Sequence, residues 1–124
     1  MKKIIGSLFL ILLFVLSTFS FAQTQVESGS WGISSSTPNY TLNKNEGDRN
    51  VIINVSFDVP FEVKPEIVVS VTMLDASDKT ALRYDVQTMS VSRDGFSIKV
   101  VTWSNTQING IKGTWLAHAP SEMK

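Results

Sequence analysis

Cysteine is absent from all 124 residues, and histidine occurs once, at His118. Without a thiol there can be no disulfide framework, thiolate nucleophile, thiolate metal site or lipid-modified cysteine. His118 lies in a strand-like run near the C-terminus and reads as a strand residue rather than a general base. An excess of positive charge is also missing: 11 lysines and arginines balance 11 acidic residues. That gives no electrostatic case for a nucleic acid or an anionic membrane as partner. Beyond residue 22 no apolar stripe reaches helical length, and no repeat is visible.

The one long apolar run stands at the start. Lys2 and Lys3 precede Ile4–Leu16, and Ser20-Phe21-Ala22 resembles a signal-peptidase site. The rival is a membrane anchor, because Ile4–Phe21 is just long enough to span a bilayer. Ser17, Thr18 and Ser20 weaken the far end of that run and no basic stop follows, which favours cleavage. The expectation is an exported, secreted chain of 102 residues (23–124), in the periplasm or outside the cell. It would carry nine basic and eleven acidic residues, a net charge of −2. That is one domain, burying about 65% of its unfolded surface. Without disulfides, oligomerisation or aromatic packing would have to add stability.

Short runs of period two fill this domain, separated by Gly, Pro, Asn and Asp. They predict strands near Gln25–Trp31, Asn50–Phe57, Glu66–Asp75, Arg83–Ser92, Phe96–Ser104 and Gly110–His118. In the second, Val51, Ile53, Val55 and Phe57 share a face; in the third, Ile67, Val69, Val71 and Met73 do. Six such strands with no room for crossover helices predict a six-stranded antiparallel β-sandwich. Ser34–Gly47 reads as an ordered surface loop. The fourth and fifth strands form a hairpin. With Asp94-Gly95 as a two-residue turn, Met89, Val91, Phe96, Ile98 and Val100 would make one dry face. Arg83, Asp85 and Gln87 would then stand opposite Thr106, Ser104 and Thr102 at a polar open end.

Catalytic chemistry finds little support. Asp75 and Asp78 flank a predicted turn, where aspartate is usual for backbone reasons. A hydrolase built on Asp75, Asp78 and Asp85 would need acid–base groups that the sequence does not cluster. The aromatics are the better lead. Trp115 alternates with Leu116 inside the last strand and reads as structural. Trp103 sits where the hairpin turns polar, beside Ser104 and Asn105. A sugar would suit that setting: the indole covers C–H groups while amide, hydroxyl and guanidinium groups bond hydroxyls, though other ligands use such platforms too.

Several segments, taken in order, resemble the H-type lectin family. Val26–Trp31 is similar to its opening strand. Phe57-Asp58-Val59-Pro60, followed by Lys64–Ser70, is similar to its F-x-x-P…P-x-V-x-x-S segment. Leu74-Asp75, Leu82-Arg83, Val91–Phe96, Thr102-Trp103-Ser104-Asn105-Thr106 and Gly113–Ala117 complete the series, which spans most of 26–118. The resemblance implies a trimeric sandwich, sometimes two trimers joined, that has no catalytic activity. It implies binding of galactose-type sugars, especially N-acetylgalactosamine, between subunits, and implies no cofactor.

Carried across by position, the sugar-contacting arginine falls on Arg83 and the tryptophan on Trp103. The expected register puts these on opposite faces of the hairpin, which suits a site shared by two subunits. Tyr84, Val86 and Val101 would lie on the Trp103 face and form the trimer contact. Snail members carry histidine where this chain has Ser104 and tyrosine where it has Asn109. The family's acidic acceptor corresponds to Glu46 or Asp48, in the loop Asn43–Asn50. Those departures keep a second reading open: a non-catalytic assembly or adhesion module of the same fold whose partner is a protein.

Overall fold

The computed structural model describes residues 23–44 and 46–121. The segment 1–22, expected to be a signal peptide, lies outside the described residues. Six strands follow one another: β1 (Gln23–Ser34), β2 (Arg49–Ser56), β3 (Glu66–Ala76), β4 (Tyr84–Met89), β5 (Gly95–Thr102) and β6 (Ile108–Ser121). They form two three-stranded sheets, ordered β1-β6-β3 and β2-β5-β4, with every pairing antiparallel. This is the predicted sandwich.

Period-two alternation explains how the sheets face each other. Phe96, Ile98 and Val100 of β5 are buried, with Val51, Ile53 and Val55 of β2 packed against them. From the other sheet come Trp31, Ile33, Ile111, Trp115, Ala117 and Ala119. Phe57, Phe61, Phe96 and Trp115 close one end of the core. Phe57 meets Phe61 edge-on at 4.8 Å, and Phe96 meets Trp115 edge-on at 5.4 Å. Trp115 is therefore structural, and its indole lies across Gly29, where a Cβ would come within 2.7 Å of it. His118 sits on the outer face of its sheet, paired with Val26 and Glu66.

Three local expectations need correction. The β4–β5 hairpin does not turn at Asp94-Gly95. Tyr84 pairs with Thr102, Val86 with Val100 and Thr88 with Ile98, three residues away from the predicted register. An odd shift exchanges the two faces of a strand. Tyr84 and Val86 thus pack on the core, and Met89 is exposed. The connection instead runs through Ser90–Asp94, with Ser90 at φ 54°. Neighbouring chain claims the residues that a tight turn would need. Gly95 pairs with Ser56, and the carbonyls of Asp94 and Arg93 accept from the amides of Phe57 and Phe61 at 2.9 Å each. A Cβ on Gly95 would stand 2.2 Å from the Val55 carbonyl oxygen, so its glycine serves close strand approach rather than a turn.

In β3 the register shifts between Val71 and Met73, and Leu74 replaces Met73 in the core series. The loop after β1 is not wholly superficial either. Tyr40 is buried and Leu42 is fully buried, so this segment plugs one end of the sandwich.

Candidate ligand-binding site

Three loops meet at the end of the sandwich opposite the phenylalanine cluster: residues 35–44 with 46–48, 77–83, and 103–107. Two threonines begin the assembly. Thr102 and Thr106 are fully buried, and a buried hydroxyl needs a partner. Thr102 Oγ1 donates to the Arg83 carbonyl at 2.5 Å, and Thr106 Oγ1 donates to the Ala81 carbonyl at 2.6 Å. The Arg83 amide in turn donates to Thr106 Oγ1 at 3.1 Å. The outer threonines of Thr102-Trp103-Ser104-Asn105-Thr106 thus clamp the backbone entering β4, and the three residues between them face outward.

Arg83 and Trp103 flank the last pair of the ladder, Tyr84 with Thr102. Since Thr102 is buried and Tyr84 packs on the core, alternation gives Arg83 and Trp103 the outer side together. That corrects the expectation of opposite faces and removes its argument for a site divided between subunits. It also takes Tyr84 and Val86 off the Trp103 face, leaving Val101 there. Trp103 is 39% exposed, enough to offer a ring face. Arg83 Nη1 donates to Asn105 Oδ1 at 3.3 Å, which holds the guanidinium at this corner.

The acidic loop reaches the same corner. Ser104 adopts the left-handed region at φ 60°. Its carbonyl accepts from the Gly47 amide at 3.1 Å and from Arg49 Nη2 at 2.9 Å. Glu46 and Asp48, both exposed, therefore flank a residue bonded to Ser104. Asn109 is exposed near the start of β6. Its carbonyl accepts from the Ser35 amide, while the neighbouring Ile108 amide donates to the Leu42 carbonyl. Asn109 thus belongs to the same end but not to the Arg83–Asn105 pair.

Tyr40 supports this end from beneath. Its hydroxyl donates to the Ile108 carbonyl at 2.5 Å. Burial first, and the nearby Asp75 carboxylate second, push its pKa from 10.0 up to about 12.

Sequence reasoning missed Arg49 and the clamping role of the two threonines. The signal for Arg49 was available. Arg49 is in phase with Val51, Ile53, Val55 and Phe57, the inward face of β2, and a guanidinium in phase with a core face needs buried partners. Asn105 was picked out by its place beside Trp103, but its pairing with Arg83 depends on where two loops meet.

The fold and the motifs that build this end agree with a match to the H-type lectin domain over residues 52–118, and the chain belongs to that family. Among curated relatives, one of the discoidin-1 polypeptides of Dictyostelium discoideum is 27% identical over 82 residues, covering 65% of this chain and 32% of that protein. A protein named ATP synthase subunits region ORF 7, from Fuscovulum blasticum, is 34% identical over 71 residues, covering 57% of this chain and 62% of that one. The match thus spans less than two thirds of each relative. In three dimensions the chain is similar to discoidin II of Dictyostelium discoideum, with a TM-score of 0.71 and 22% identity. That superposition covers 83% of this chain and 40% of that one. The family is one of lectins, not of enzymes.

Proposed function

We propose that this domain binds carbohydrate, of galactose or N-acetylgalactosamine type, at the corner formed by Arg83, Trp103, Ser104, Asn105 and the loop Glu46–Asp48. The observation that carries the reading is the bonding of the acidic loop to Ser104, between an exposed indole and a positioned guanidinium. Each group has a task. Trp103 offers an apolar face to the C–H side of a pyranose. The Arg83 guanidinium, a donor with no acceptor, bonds ring hydroxyl oxygens. The carboxylate of Glu46 or Asp48 accepts from hydroxyl hydrogens, and charge-assisted bonds of this kind are the stronger sort. Ser104 completes the polar rim, and Asn109 stands apart on the other sheet at the same end.

The groups of the site are mostly exposed, so single-site affinity is weak and useful avidity comes from several sites on one assembly. A trimer, or two trimers joined, of an exported chain fits that requirement. A neighbouring protomer would add a wall to a site whose named residues already share one chain.

A protein-binding adhesion or assembly module is the second reading. It draws on Ile52 and Met89, exposed at 49% and 37% on the outer face that Trp103 occupies.

A glycan array with purified 23–124 tests the proposal. Selective capture of terminal galactose or N-acetylgalactosamine is expected. A folded protein silent across the array refutes sugar binding and leaves the protein-partner reading.

A further inference from the structure

We infer that Arg49 is a positioning residue for the site, an inference that rests on the sugar-binding reading: it fixes Glu46–Asp48 against Ser104 without itself reaching the ligand. Arg49 opens β2 on its inward face and is 7% exposed. Its Nε donates to the Gly47 carbonyl at 2.9 Å, Nη2 to the Ser104 carbonyl at 2.9 Å, and Nη1 to the carbonyls of Leu42, at 3.4 Å, and Lys44. Four N–H groups of the fork thus end on backbone oxygens, three in its own loop and one across the gap. A rigid planar fork can serve several acceptors spread around it, whereas a lysine ammonium is a compact point donor.

Among the described residues, the acidic loop has little else to hold it. Glu46, Gly47 and Asp48 are exposed, and a Cβ built on Gly47 would meet nothing within 4 Å. Packing therefore does not define where the carboxylates stand relative to Trp103. Hydrogen bonds do, and the Ser104 carbonyl takes two of them, from the Gly47 amide and from Arg49. A carboxylate displaced by about an ångström loses its hold on a hydroxyl, because hydrogen-bond geometry is narrow.

The test is Arg49→Lys, which keeps the charge and removes the fork. Amide exchange followed by NMR reports on the unliganded protein, and titration with galactose and N-acetylgalactosamine reports on the site. Exchange at Gly47 should accelerate at least tenfold while Ile98 and Val100 in β5 stay protected, and affinity should fall at least tenfold. A Gly47 amide as protected as in the wild type overturns the inference, and so does unchanged affinity with that amide released. Should Arg49→Lys fail to fold, the wild type decides: the Arg49 Nε–H and the Gly47 amide, both bonded to backbone carbonyls, should exchange slowly, and rapid exchange at either overturns the inference. If the wild type binds neither sugar, the sugar-binding reading falls, and Gly47 exchange still judges the Arg49 lock.

Discussion

Tyr40→Phe removes one hydroxyl and should change how the protein responds to alkali. In the folded chain the phenol is buried, donates to the Ile108 carbonyl at 2.5 Å, and has its pKa raised from 10.0 to about 12. Near neutral pH the substitution deletes a hydrogen bond and leaves a buried carbonyl short of a donor, a cost of about 1 to 3 kcal/mol. A second contribution comes from ionisation. A raised folded pKa means that the unfolded chain releases its proton first, so Tyr40 contributes fully below pH 10. The contribution is lost as pH rises through about 12. The span from 10.0 to about 12 corresponds to about 2 to 3 kcal/mol. Urea unfolding of wild type and Tyr40→Phe, at pH 8 and at half-unit steps from 9.5 to about 12, checks both contributions. The difference between the two proteins should shrink by about 2 kcal/mol across the upper window. Parallel stability curves would refute the reasoning and show the phenolate to be no worse accommodated than the phenol.

Three further outcomes follow from the geometry. Trp103→Ala should abolish glycan capture while shifting urea unfolding by less than about 1 kcal/mol, since an exposed ring contributes little to the core; retained affinity would remove Trp103 from the site. Asn105→Ala releases Arg83 Nη1 from its 3.3 Å partner and should weaken sugar binding about three- to tenfold by calorimetry, as expected for a loss near 1 kcal/mol. Gly29→Ala drives a methyl to within 2.7 Å of the Trp115 indole and should cost about 1 to 3 kcal/mol by thermal unfolding, and an unchanged midpoint would mean that Trp115 can turn aside freely.

The sandwich was legible because most of its strands announce themselves locally. Val51, Ile53 and Val55 against Ile52 and Asn54 fix both the strand and its inner face, whatever lies across from them. The family resemblance added the residues Arg83 and Trp103, which periodicity alone could not single out. The hairpin register escaped because Asp94-Gly95 is a turn signal only while nothing else uses those groups. Here Ser56 pairs with Gly95, and the amides of Phe57 and Phe61 take the carbonyls of Asp94 and Arg93. A partner distant in sequence outweighed a local preference.

What the sequence determined by itself, then, is the set of strands, the inward series on β2 and β5, and a domain without thiol chemistry. The tertiary structure decided which side of the hairpin carries Arg83, which loop lies against Ser104, and why an arginine stands in phase with a core face. Strand periodicity is written within a few residues of chain. A corner built from three loops exists only when a buried guanidinium and two buried threonines find carbonyls tens of residues away, and those distances are set by packing.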